Sequence, residues 1–111
     1  MRIIARRTLR AFVESRSRHR DHLALKAQVD AWFDEVRKAR WASMADIKRH
    51  YATASVITSE RVVFNIKGND YRLVVAVDFE KQIVWIKWIG THAAYDRIDV
   101  RTIDHEADQA D

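Results

Sequence analysis

From Arg61 to Ile89 the chain runs through three stretches rich in β-branched and aromatic residues, broken only at Gly68-Asn69 and at Glu80-Lys81. Apolar side chains recur there with a period of two, the mark of a strand that buries one face. This stretch therefore folds as a three-strand meander, and the rest of the chain has to fit around it. Glycine and asparagine tolerate the positive φ of a tight hairpin, which makes Gly68-Asn69 the first turn. Glu80-Lys81 divides the second and third runs without a glycine. With two-residue loops at both turns, Asn65 lies opposite Arg72 and Val74 opposite Lys87.

The alternation sorts the meander into two faces. One carries Val62, Phe64, Ile66, Tyr71, Leu73, Val75, Val77, Val84, Ile86 and Trp88, is almost wholly apolar, and needs a cover. The other carries Arg61, Val63, Asn65, Arg72, Val74, Ala76, Asp78, Ile83, Trp85 and Lys87. On this mixed face, expected to be uncovered, Arg72, Lys87 and Asn65 gather at one end, where an anion can bind. A bulge would transfer individual residues between faces.

The cover comes from upstream. Asp21 to Arg40 places Leu25, Val29, Trp32, Phe33 and Val36 on one stripe of an amphipathic helix. Asp21 reads as its N-cap, and Arg37, Lys38 and Arg40 sit where the helix dipole favours cations. Arg6 to about Ser15 is a shorter helix with Leu9, Phe12 and Val13 on one side. Ser43-Met-Ala-Asp46 resembles a capping box and opens a third helix to about Tyr51. Arg2–Ala5 is a short strand able to join the meander, and Ala52–Glu60 is a polar connector. The expected fold is thus α+β: a small antiparallel sheet, three-strand meander plus a short N-terminal strand, with helices packed on one face.

Charge narrows the partners. The chain carries net +4, yet the segment 101–111 holds one Arg against Asp104, Glu106, Asp108 and Asp111. That acidic segment, net −3, reads as a disordered tail, and the body, residues 1–100, is a single domain of net +7. Such a body suits a polyanion: RNA, DNA or an acidic protein segment. With no cysteine, disulfides and thiolate metal sites are excluded, and a reducing compartment fits. No apolar run approaches the roughly 20 residues that span a membrane. The Arg-rich N-terminus shares its composition with organelle transit peptides, but Arg2–Ala5 reads as part of the fold. His19 and His22 have no third ligand nearby, so neither a metal nor a cofactor is expected.

Past the meander, Gly90-Thr91 leads into His92, Tyr95 and Asp96, which share one face if Thr91 caps a helical turn. Histidine as a residue type titrates near neutrality, so His92 can take or give a proton. Tyr95 can donate one or stack on a base, and Asp96 can orient His92. Lys67, in the first turn, can reach backbone phosphate. Trp85 can stack a nucleobase or simply fill the sheet groove.

The segments FNIKGNDYRLVV and IKWIGTHAAYDRID, preceded by WASMADIKRHY, resemble the HigB-type toxins of bacterial type II toxin–antitoxin systems, within the RelE/ParE superfamily. The resemblance reaches to about Val100. It implies a compact RelE-like α+β fold, a cytoplasmic protein, and inhibition by a co-encoded helix-turn-helix antitoxin of the HigA type. It further implies a metal-independent, ribosome-dependent endoribonuclease (an mRNA interferase), in which a ribose 2′-oxygen attacks the adjacent phosphate. Arg72 matches the Tyr-Arg-Leu strand position where such nucleases keep an arginine, and Lys87 is the next cation on that face. With His92 and Tyr95 these form the expected catalytic set, while Lys67, Asn65, Trp85 and Asp96 are expected to bind RNA. Two alternatives stay open: a ParE-like toxin that inhibits DNA gyrase without cutting RNA, and an inactive member that only binds its antitoxin.

Overall fold

A computed structural model describes residues 1–104. Its elements are β1 (Arg2–Ile4), α1 (Arg6–Ser15), α2 (His22–Lys38), α3 (Met44–His50), β2 (Ser55–Val56), β3 (Arg61–Ile66), β4 (Tyr71–Asp78), β5 (Ile83–Thr91) and α4 (His92–Tyr95). The α+β class and the meander are as expected. The sheet, however, has five strands in the order β1-β5-β4-β3-β2 and is mixed, because β1 runs parallel to β5. The fifth strand, β2, lies in the stretch read as a polar connector and pairs with β3 through Ser55 and Val56.

Asn65 faces Arg72 as expected. Across the second hairpin the register runs from Asp78–Ile83 to Val75–Ile86, after which Val74 pairs with Trp88 instead of Lys87. One extra residue on β5 breaks the ladder there and resets the alternation, as a β-bulge does. Trp88 therefore leaves the apolar face assigned to it and joins Val63 and Val74 on the other, while Ile89 turns into the main core. In the first turn the positive φ falls on Lys67 and Gly68, leaving Asn69 outside that region. In the second turn Gln82 supplies the positive φ that no glycine provides.

Helices α1, α2 and α3 cover the first face. Leu25, Val29, Trp32 and Val36 of α2 are buried against it, each burial contributing roughly 1.5–3 kcal/mol relative to exposure. Phe64 is the hub, with the rings of Trp32, Trp41 and Tyr51 at 5.4, 6.2 and 5.1 Å. Burial, reinforced by the hydrogen bond that its hydroxyl gives Glu35, pushes the Tyr51 phenol above its ordinary range. α3 starts as expected: the Ser43 hydroxyl accepts from the Asp46 amide, and the Asp46 carboxylate accepts from the amide of Ala42. Asp21 holds the N-cap position of α2 but makes no side-chain cap bond. Its carboxylate is engaged elsewhere, by the Tyr71 hydroxyl at 2.5 Å and by His19.

The second face is not the open surface expected of it. Tyr95, Ile98, Val100 and Ile103 pack over Val63, Val74 and Trp88. The Arg61 guanidinium fastens this segment by donating to the carbonyls of Val100 and Ile103 at 3.1 and 2.7 Å. The apolar patch that the bulge completes with Trp88 is what this cover buries. Of the segment expected as a tail, 101–104 is described here, and 105–111 lies outside the described residues.

Candidate functional site

Two groups of candidate side chains lie along the second face, and one lies at the end of the sheet. The first surrounds Arg72, which pairs with Asn65 on one side and Gly90 on the other. Its guanidinium donates to the Asn69 carbonyl at 2.9 Å, the Tyr71 carbonyl at 3.3 Å and the Asn69 side-chain oxygen at 3.3 Å. Asn65 donates to the same Asn69 oxygen at 3.4 Å. The Arg72 guanidinium carbon lies 5.9 Å from the centre of the Tyr95 ring, and that ring is 6.3 Å from Trp88. Trp88 in turn lies over Gly90, where any Cβ would come within 2.4 Å of its ring. Gly90 is thus small so that Trp88 can support Tyr95 beside Arg72.

The second group forms a depression between the β3–β4 turn, the start of α4 and the loop joining α1 to α2. Lys67, Asn69, His92, His19 and Arg20 line it. Thr91 caps α4 as expected, its hydroxyl accepting from the Ala94 amide at 3.1 Å. The His92 amide donates to the Asp70 carbonyl at 2.9 Å, which ties the hairpin turn to the start of α4. His92 Nε2 stands 3.9 Å from the Asp96 carboxylate, at the i, i+4 spacing. Lys67 is ion-paired to Asp70 at 2.8 Å, and that hydrogen bond raises its ammonium above the ordinary lysine range.

The third group sits past the bulge. Lys87 and Trp85 share a depression with Arg61 and Asp78. Lys87 is ion-paired to Asp104 at 3.5 Å and is largely covered. Lys87 and Trp85 are therefore grouped apart from Arg72, Asn65 and Tyr95, although all lie on one face.

Arg72 is the candidate cation with uncharged partners: among the described residues its hydrogen bonds go to carbonyl and amide oxygens, whereas Lys67 and Lys87 each hold a carboxylate. A guanidinium in that state can exchange weak acceptors for two phosphate oxygens. Asn69 and Trp88 were not singled out from the sequence as site residues. Asn69 reads as a turn residue only, and nothing in the pattern betrays the bulge that delivers Trp88.

Among the described residues no group of three His, Asp or Glu side chains is placed to hold a metal ion, and no helix is long and apolar enough to cross a membrane. A depression of about 750 Å³ lies between α1 and α2 over Leu9, Val29 and Phe33 and contains none of the candidate residues. The family model for HigB toxin, the RelE-like toxic component of a toxin-antitoxin system, matches residues 25–98. No curated protein matches the chain.

Proposed function

Because the chain belongs to the HigB toxin family, the RelE-like toxic components of toxin–antitoxin systems, we propose that it stops translation by cutting messenger RNA on the ribosome. An antitoxin partner follows from the family; that it is a co-encoded helix-turn-helix protein of the HigA type is part of the proposal. The observation that carries the reading is the Arg72 guanidinium, whose hydrogen bonds among the described residues go to uncharged acceptors, with an aromatic ring beside it.

In the proposed reaction a ribose 2′-oxygen attacks the adjacent phosphorus, the bond to the 5′-oxygen breaks, and a 2′,3′-cyclic phosphate and a 5′-hydroxyl result. Negative charge builds on the phosphate oxygens in the transition state. A fixed cation already aimed there lowers the barrier, because no reorganisation is needed as charge develops. Arg72 takes that role, Tyr95 stacks on a base or donates a proton, and His92 moves a proton. Asp96 orients His92. Asn65 and Lys67 flank the scissile phosphate, with Lys87 and Trp85 farther along the strand as contacts for the extended RNA.

Primer extension on a defined message in a reconstituted translation reaction tests this, with and without ribosomes. Wild type should give discrete, ribosome-dependent cuts. Arg72→Ala should lose them, and Arg72→Lys should recover only a small part, because an ammonium cannot grip two oxygens in a plane. Intact message in every lane would refute the nuclease, and a supercoiling assay with gyrase would then take its place.

A further inference from the structure

Two histidines that are 73 positions apart in the chain, His19 and His92, line one depression. His19 belongs to the loop between α1 and α2, outside the residues that the family model matches. That loop is tied to the sheet. The Tyr71 ring is fully buried, edge-on to Phe12 at 5.7 Å, and its hydroxyl reaches across to donate to Asp21 at 2.5 Å. The other oxygen of Asp21 stands 2.6 Å from His19 Nδ1. The Tyr71 bond, helped by His19, holds the Asp21 carboxyl below the usual carboxylate range, so the group is ionised and only accepts. The Nδ1 hydrogen then makes that contact, and the half-exposed imidazole, which lines the depression, keeps Nε2 for a second partner. On the far side, His92 is anchored to the β3–β4 turn by the hydrogen bond that its backbone N–H donates to the Asp70 carbonyl. Arg20 and Lys67 line the same depression, Lys67 paired to Asp70 and Asp21 engaged by Tyr71 and His19, so that a phosphodiester entering there meets cations beside both imidazoles.

We propose that His19 is the second proton-transferring side chain of this site, acting opposite His92, with Asp21 as its positioning residue and the Tyr71 hydroxyl holding Asp21 in place. The proposal rests on the ribonuclease reading above. One imidazole, neutral, accepts the proton of the 2′-hydroxyl as that oxygen bonds to phosphorus. The other, protonated, gives its proton to the departing 5′-oxygen as the P–O bond breaks. Protons and charge balance with no metal and no further reactant, and water later returns the two rings to their starting states.

The test is single-turnover cleavage of a ribosome-bound message from about pH 5 to about pH 9. The groups facing His19 are Asp21 and Arg20 on its own loop, Arg16 and Tyr71 behind Asp21, and Lys67, Asp70 and His92 across the depression. His19→Gln and His92→Gln should each slow cleavage about 10²- to 10⁴-fold, and each should remove one limb of the pH profile. Asp21→Asn should displace the His19 limb without removing it. A His19→Gln protein that is folded by circular dichroism and cuts with the wild-type rate and profile would overturn the inference and leave the ribonuclease reading intact. A second measurement does not depend on cleavage: imidazole ¹⁵N spectra during titration with adenosine 3′-monophosphate. The His19 and His92 signals should move together to one saturation point. A stationary His19 signal would overturn the proposal. Wild type that binds the nucleotide yet cuts no message would overturn the ribonuclease reading and the proton transfer with it.

Discussion

Gly90→Ala tests the link between the bulge and the Arg72 site. A Cβ at position 90 would lie 2.4 Å from Cη2 and Cζ2 of Trp88, and 3.2 Å from Cζ3. Carbon atoms in contact keep about 3.5–4.0 Å, so the indole has to move by more than about 1 Å. It has little room: Val63 and Val74 are buried beneath it and Tyr95 packs beside it. Overpacking of this kind costs about 1–3 kcal/mol. For a domain of this size that lowers Tm by about 4–8 °C per kcal/mol, readable by circular dichroism. Because the displaced indole supports Tyr95, cleavage should fall by more than the loss of folded protein explains. Phenylalanine at position 88 lacks the atoms that clash. Gly90→Ala should therefore cost less in a Trp88→Phe background, with a coupling of about 1–2 kcal/mol in the double-mutant cycle. Equal cost in both backgrounds, or a wild-type Tm for Gly90→Ala alone, would refute the packing argument.

Other changes probe other parts of the fold. Trp32→Ala empties a site 2% exposed against Phe64 and should cost about 3–5 kcal/mol, measured by urea unfolding. Asp21 has its carboxyl pKa lowered by the Tyr71 bond, so its contribution is present above the usual carboxylate range and is lost as pH falls through the lower folded value. The stability gap between wild type and Tyr71→Phe should then be constant near neutrality and close in acid, which thermal melts over a pH series would show; a gap that widened in acid would contradict the assignment. Arg61→Ala removes both bonds that hold the Val100 and Ile103 carbonyls, and hydrogen exchange at residues 98–104 should accelerate while that of β4 does not.

The parts of this fold legible in the sequence are those in which local pattern and tertiary structure agree. Period-two runs gave β3, β4 and β5, and the hairpin register at Asn65–Arg72 followed from one glycine. The stripe of Leu25, Val29, Trp32 and Val36 could only be a helix facing a core. The unread parts depend on distant or very short pairings. Nothing near Arg2–Ile4 says that it will run parallel to β5, and two residues are too few for a period to mark β2. The bulge is hidden because both alternations are acceptable: Lys87 and Trp88 can each occupy either face until Val63, Val74 and the 98–103 segment are assembled. The candidate site divides in the same way. Arg72, His92 and Tyr95 stand in recognisable motifs, and Asp70 is only three residues from Lys67, but Asp104 beside Lys87, and His19 in the depression with His92, are brought there only by the folded chain.

The pairing of those carboxylates ranks the cations on the ribonuclease reading. A phosphate arriving at Lys67 or Lys87 competes with Asp70 or Asp104, and the incoming charge gains only the difference between two anions. Both pairs are only partly exposed, and each carboxylate offsets part of what its lysine would offer an incoming phosphate. At Arg72 the phosphate displaces neutral oxygens of Asn69, and the full gain of a charge-assisted, two-point contact is realised. The Tyr95 ring, its centre 5.9 Å from the guanidinium carbon, adds a cation–π contact at the same place. The lysines therefore serve to draw in and align a polyanion, and the transition-state charge falls to Arg72. The same reasoning ties the bulge to the site: it brings Trp88 onto this face, where with Val63 and Val74 it forms the apolar patch against which Tyr95 packs beside Arg72.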